Sequence, residues 1–257
     1  MDRRAIGEQY GTSANLSARI ALHQQCSVNA YGLQRWIFDR LQLQSGQRVL
    51  EIACGAGSLW RENLDRLEDV ELVLSDISPA MLETTRAIVP SARFVNCALP
   101  DLPFASRAFD VVIANHMLYH VADRERGLRE IQRVLRPEGV LFASTNGAEH
   151  LREIKDLMGA FGIAGGDVSS SFTLENGASQ LARVFASVQC EEYEDALRVE
   201  DAELLVAYIA SMNAQAADVV RARHDEMRAR IATPFMIRKS TGLFVARATP
   251  APLDAGR

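Results

Sequence analysis

The chain has 257 residues, 48% of them hydrophobic, which suffices for a full core in one large α/β domain or in one domain plus a cap. Its formal net charge of −5 and the lack of any dense Lys/Arg run leave no basic field for phosphates, which disfavours a nucleic-acid substrate. The four cysteines, Cys26, Cys54, Cys97 and Cys190, form no C-x-x-C pair, so reduced core or pocket residues are expected rather than a zinc site or a disulfide framework.

In chain order, the start MDRRAIGEQYG lacks an apolar leader, and no later stretch reaches transmembrane length; a cytoplasmic protein off the membrane is expected. From Leu16 to Leu41 apolar residues recur at helical intervals, interrupted at Gly32, and predict two or more helices in an N-terminal cap over 1–44. Over 45–147 short β-rich runs alternate with helical stretches: RVLEIA, a helix around Leu59–Leu67, VELVLSD, a helix around Pro79–Ile88, ARFVNC, FDVVIAN, a helix around Arg124–Leu135, and GVLFAST. Strict strand–helix–strand succession implies a parallel sheet with right-handed crossovers and both faces covered.

The rhythm then changes. An elaboration over 148–234 holds a helix around Glu149–Phe161, a Gly/Ser-rich loop to Phe172, a helix at Glu175–Phe185, a strand-like SVQCEEYEDALRV and two further helices. FMIRKSTGLFVA is expected to form a last strand over 235–248, followed by a frayed tail at 249–257.

The most informative segment is VLEIACGAG, where a buried strand enters a turn of small residues that lets a ligand approach the backbone at the carboxyl edge of the sheet. A nicotinamide or flavin fingerprint needs a third glycine three residues after the second, and Trp60 stands there. Asp76, which closes VLSD about twenty residues after the turn, is placed to accept hydrogen bonds from both hydroxyls of a ribose.

VLEIACGAG, LSDISPAMLE, LPFASRAFDVVIANHMLYHV and REIQRVLRPEGVLFAST, in that order and spacing, resemble the successive motifs of the class I methyltransferases, in particular the branch containing the ubiquinone and menaquinone methylases. The resemblance covers Arg48 to Thr145. It implies a Rossmann-like α/β fold: a seven-stranded, mostly parallel sheet flanked by helices, with an N-terminal helical cap and a C-terminal helical insertion. It also implies S-adenosylmethionine as cofactor, S-adenosylhomocysteine as product and no metal. By the same resemblance Glu51 and the turn at Ala53, Gly55 and Gly57 hold the methionine part, Asp76 binds the ribose, and Ile77 and Met81 flank the adenine. Leu99 offers its backbone amide to the ring, and Asn115 lies beside the cofactor. Two positions depart from the pattern. Ala53 replaces the first glycine, which is tolerable if it keeps a negative φ. Ala98 replaces an acidic residue that takes the adenine amino group, leaving backbone groups or Asn96 for that role.

Methyl transfer is an in-line displacement that positioning alone can accelerate greatly, and a base is needed only when the nucleophile carries a proton. His116, directly after the fourth strand, is the candidate base or acceptor-positioning group; the alternative is a histidine bonded to backbone in the crossover turn. His120 is expected to be structural, and with no third ligand nearby the His116/His120 pair does not read as a metal site. Tyr10, Tyr31 and Trp36 are candidates to close over the cofactor, with Tyr10 preferred for the pocket and Trp36 for the core. Tyr119, Phe172 and Glu175, with Asn176, are candidate acceptor contacts, against a reading of FTLENG as a helix entry with Thr173 as N-cap. Arg126, Arg129, Arg133 and Arg136 read as a solvated face.

The expected activity is methylation of an oxygen or nitrogen of a small metabolite, with secondary metabolism as a context, by a monomer or homodimer that engages neither nucleic acid nor membrane. The rivals are a non-catalytic S-adenosylmethionine-binding module and a nicotinamide-dependent oxidoreductase.

Overall fold

The computed structural model describes residues 21–67, 69–164 and 170–248. The described residues divide into two compact units: one takes 31–67, 69–148, 170–193 and 241–248, the other 21–30, 149–164 and 194–240.

The larger unit is an α/β sandwich. Helix α1 (Leu33–Leu41) precedes β1 (Arg48–Ile52), α2 (Ser58–Arg61), β2 (Glu71–Asp76), α3 (Pro79–Arg86), β3 (Arg93–Asn96), β4 (Phe109–Asn115), α4 (Arg124–Val134) and β5 (Leu135–Asn146). After an excursion through the second unit come α6 (Leu174–Leu181), β6 (Ser187–Glu192) and β9 (Thr241–Arg247). The seven strands lie in the order β3-β2-β1-β4-β5-β9-β6, all parallel except β9, which runs antiparallel to both β5 and β6. This is the expected Rossmann-like, mostly parallel sheet. Helices cover both faces, so β1, β2 and β4 are buried along almost their whole length. Because β1 lies between β2 and β4, the order reverses beside it, and the crevice of such a sheet opens at the carboxyl ends of these strands.

The second unit holds a helical segment at 21–26, α5 (Arg152–Ala160), β7 (Asp195–Val199), α7 (Ala202–Ala210), α8 (Ala214–Arg230) and β8 (Phe235–Lys239). Strands β7 and β8 pair antiparallel in a sheet of their own. Its core includes Leu22, Met158, Leu197, Leu205, Ile209 and Met227. Asp195 organises its polar centre, accepting from Ser27 Oγ (2.5 Å), Asn29 N (3.0 Å) and Lys239 Nζ.

Two expected strands are each broken in two. SVQCEEYEDALRV divides into β6 and β7, and FMIRKSTGLFVA into β8 and β9, the members of each pair lying in different sheets. The reason is burial. β8 alternates exposed and buried positions as a two-stranded sheet requires, whereas β9 is inserted between two strands and buried nearly throughout. The helices expected over 1–44 also separate. Trp36, Ile37, Phe38 and Leu41 of α1 share a core cluster with Val49, Leu74 and Ile113 of the larger sheet, and residues 21–26 belong to the second unit.

Trp36 is core as expected, its ring 5.3 Å from that of Tyr193 and beneath the Arg40 guanidinium at 3.8 Å. The four arginines expected to form a solvated face, on α4 and at the start of β5, are salt-bridged and solvated: on α4 Arg126 pairs with Asp101, Arg129 with Glu125 and Arg133 with Glu130, and on β5 Arg136 pairs with Asp110.

Helix α6 lies close on β9 because residue 177 is glycine. A Cβ there would meet Phe244 Cε2 at 2.5 Å and Cζ at 2.8 Å, and Phe172 Cζ at 3.1 Å, both rings being fully buried. Gly177→Ala is therefore expected to destabilise by about 1–3 kcal/mol through overpacking, although alanine is the better helix former by about 1 kcal/mol. A lowered denaturant midpoint at unchanged slope checks this; a raised midpoint would mean that α6 lifts off without cost.

Candidate active site

Polar side chains line the carboxyl edge of the larger sheet. The registers pair Asn96 with Asp76 across β3 and β2, and Asn115 with Ser144 across β4 and β5, while β1 delivers Glu51 between them.

After β1 the backbone turns sharply. Ala53, Gly55 and Gly57 have φ of 57°, 54° and 71°, all left-handed. The expectation that Ala53 keeps a negative φ is thus corrected: the turn needs a left-handed residue there, and alanine bears the steric cost. The turn is held from several sides. Cys54 N donates to Ser75 O (2.9 Å), Gly55 N to Asp76 Oδ2 (2.9 Å), and Thr85 Oγ1 of α3 to Gly55 O (2.7 Å). A Cβ on Gly57 would meet Thr85 Cγ2 at 2.8 Å, whereas one on Gly55 would meet nothing within 4 Å. Gly57 therefore serves packing, and Gly55 leaves room above the turn.

Asp76 ends β2, nearly buried, and its second oxygen accepts from Ser78 N at 2.8 Å. Each carboxylate oxygen thus holds one backbone amide and keeps lone pairs for a ligand. Asn96 Nδ2 donates to Asp76 O (2.8 Å) and Ile77 O (3.0 Å), so its amino group clamps the β2–α3 turn instead of facing a base. Ile77 is half-buried in that turn, and Met81 N donates to Ser78 Oγ, the N-cap of α3. Ala98 and Asp101 close a tight turn through Asp101 N to Ala98 O (3.1 Å), and the Leu99 side chain packs on the main core.

Glu51 is buried at 2% exposure, with Oε2 accepting from Trp60 Nε1 (2.5 Å) and Oε1 from Asn115 Nδ2 (3.3 Å). Burial raises its pKa from 4.5 to about 7 against the pull of those two donors, and the Asp76 carboxylate pushes it further up. Burial likewise pushes the Cys54 thiol up, away from thiolate chemistry. Two carboxylates at one crevice suit a cationic, hydroxyl-bearing ligand and repel a pyrophosphate. Fully buried Trp60, at the third-glycine position of a dinucleotide fingerprint, reinforces that exclusion.

His116 follows β4 with φ 47°, again left-handed, and its backbone N donates to both the carbonyl (3.1 Å) and the hydroxyl (3.2 Å) of Ser144. Tyr119 lies in the next turn, its ring 4.5 Å from that of His120, whose pKa burial lowers. Among the described residues no group of three His, Cys, Asp or Glu could hold a metal ion, and no helix is long and apolar enough to cross a membrane.

The other acceptor candidates are engaged elsewhere. Phe172 is fully buried against Phe244, with its carbonyl accepting from Thr145 Oγ1, so its role is core packing. Both oxygens of Glu175 accept from Ala148 N at 3.1 Å, and Asn176 Oδ1 accepts from Thr173 N, which is the helix-entry reading of this segment. Tyr31 is exposed and donates to Asp39 Oδ2. Tyr10 lies outside the described residues. Sequence reasoning used Trp60 only to exclude a dinucleotide and passed over Ser144 and Thr85. Trp60 had one signal: a buried glutamate on β1 requires a strong donor, and the following helix offers an indole.

Residues 50–143 match the family model described as a methyltransferase domain. The chain is 32% identical over 164 residues to a malonyl-[acyl-carrier protein] O-methyltransferase of Halorhodospira halophila, covering 60% of this chain and 52% of the relative. It is 34% identical over 113 residues to the ubiquinone/menaquinone biosynthesis C-methyltransferase UbiE of Idiomarina loihiensis, covering 41% and 45%. The chain thus spans about half the length of these relatives. The crystal structure of the YcgJ protein of Bacillus subtilis shares the fold, with a TM-score of 0.59 at 16% identity over 84% of this chain and 98% of the other.

Two outcomes test this geometry in the unligated protein. Ala53→Gly relieves a left-handed alanine worth about 1–2 kcal/mol, partly offset by unfolded-state entropy of about 0.4–1 kcal/mol, so a net gain of roughly 0.5–1 kcal/mol is expected in denaturant titration. A loss of stability would contradict the left-handed turn. Glu51, with a folded pKa raised above its unfolded value, costs nothing below pH 4.5 and progressively more as pH rises towards 7, with about 3 kcal/mol lost above that. Glu51→Gln should therefore melt higher than wild type at pH 8, with the gap closing towards pH 5; a gap independent of pH would rule out the buried, protonated carboxyl.

Proposed function

We propose that this protein, whose residues 50–143 match the methyltransferase-domain family model, is a class I enzyme that transfers the methyl group of S-adenosylmethionine to a small-molecule acceptor. One observation carries the reading: the Asp76 carboxylate, pinned by the amides of Gly55 and Ser78 beside the room left over Gly55. That is a receptor for the paired hydroxyls of a ribose next to a backbone cradle.

The remaining residues fit the same ligand. S-adenosylmethionine supplies a sulfonium-bound methyl that is already a strong electrophile. Glu51, held by Trp60 and Asn115, would offer negative charge to the cationic methionine end and be ionised by it, since a nearby cation favours the carboxylate. Ile77 and Met81 would flank the adenine, with Leu99 contributing its amide. Asn115 and His116 stand where β4 ends, and there His116 would orient the acceptor or take its proton. For the acceptor we favour an oxygen or nitrogen of a small metabolite, because a positioned imidazole matters most when the nucleophile carries a proton. The relatives' names span an O-methyltransferase and a C-methyltransferase, so an activated carbon is the competing acceptor.

Calorimetric titration with S-adenosylhomocysteine tests the cofactor assignment. Micromolar binding to wild type and a loss of roughly tenfold to a hundredfold in Asp76→Ala are expected for the removal of charged hydrogen bonds. Binding of a nicotinamide cofactor with none of S-adenosylhomocysteine would overturn the reading. Binding without S-adenosylhomocysteine release from S-adenosylmethionine, on a panel of hydroxyl, carboxyl, amino and enolisable acceptors, would instead indicate a non-catalytic binding module.

A further inference from the structure

The bend after β4 puts His116 in a backbone conformation that residues with a Cβ rarely adopt. Ser144 holds it there. The carbonyl of Ser144 is a partner that any residue at that position could supply, but the hydroxyl does something only a hydroxyl can. It accepts from His116 N at 3.2 Å and donates its single proton to Asn115 Oδ1 at 3.1 Å. Ser144 is fully buried, so water does not compete for either bond. Asn115 passes the connection on through Nδ2 to Glu51 Oε1 (3.3 Å), and Glu51 Oε2 ends on Trp60 Nε1. An unbranched line, Trp60–Glu51–Asn115–Ser144–His116, therefore runs along the carboxyl ends of β1, β4 and β5.

We propose that Ser144 is a positioning residue for methyl transfer: its hydroxyl locks the bend that presents His116 and ties that bend, through Asn115, to the carboxylate on the cofactor side. The role of His116 rests on the methyl-transfer reading above; the hydrogen-bonded line does not. Ser144, fully buried, acts through its neighbours. With alanine at 144, His116 N keeps the carbonyl but Asn115 loses its anchor, freeing both side chains to reorient.

The test uses full-length Ser144→Ala and Ser144→Thr, with carbon-13-labelled histidine. His116→Gln identifies the His116 ring signal among the five histidines. In Ser144→Ala that signal should move while the other four stay, and turnover on any acceptor found should fall about tenfold through kcat, the cost of one oriented hydrogen bond. Ser144→Thr, which keeps the hydroxyl, should restore both. An unmoved His116 signal in Ser144→Ala, or an equal displacement in the threonine variant, overturns the proposal. Should Ser144→Ala not fold, Ser144→Val, which has the shape of the threonine variant without its hydroxyl, is compared with Ser144→Thr, and an unmoved His116 signal there overturns it equally. Failure of wild type to bind S-adenosylhomocysteine would refute the methyl-transfer reading instead, and the histidine signal separates the two results.

Discussion

The bond from Gly55 N to the buried Asp76 carboxylate joins the ends of β1 and β2 and fixes the shape of the crevice between them. Asp76 can hold this place only because two amides compensate its burial. Those amides come from the two turns that leave β1 and β2. The left-handed residues Ala53, Gly55 and Gly57, the anchoring of Gly55 O by Thr85 and the Asn96 clamp on the β2–α3 turn all serve to keep that carboxylate in register.

The same crevice gathers features that lower stability. Glu51 and Asp76 place two carboxyls in a nearly buried region, where burial raises the Glu51 pKa, and Ala53 and His116 carry left-handed backbones at about 1–2 kcal/mol each. Unfavourable groups concentrated where ligand chemistry occurs are the usual mark of a site whose stability is completed by what it binds. Under the function proposed above, the cationic end of S-adenosylmethionine would remove part of this cost by favouring the Glu51 carboxylate.

The second unit has a separate logic. Its apolar core closes around a two-stranded sheet, and at its polar centre one carboxylate, Asp195, collects a serine hydroxyl, a backbone amide and a lysine ammonium. Asp195 and Lys239 are both nearly buried, so removal of either partner would strand a charge.

What the sequence determined by itself was local. Alternating strand and helix periodicities, the small-residue turn after RVLEI, and Asp76 at its offset are short-range patterns, and they specified the parallel sheet, the site of the crevice and a ribose-bearing ligand; the kind of cofactor came from the family resemblance of the ordered motifs. Only the tertiary structure decided matters that depend on which surfaces meet. An apolar strand reads alike in either sheet, so the breaks between β6 and β7 and between β8 and β9, and the membership of α1, appear only once the burial partners exist. Phe172 and Glu175 are ambiguous for the same reason, since an aromatic or a carboxylate faces a ligand or the protein according to distant neighbours such as Phe244 and Ala148. The sign of φ at Ala53 and the hydroxyl of Ser144 are the finest cases. Each is set by hydrogen bonds between strand ends more than twenty residues apart in sequence, and no local pattern encodes them.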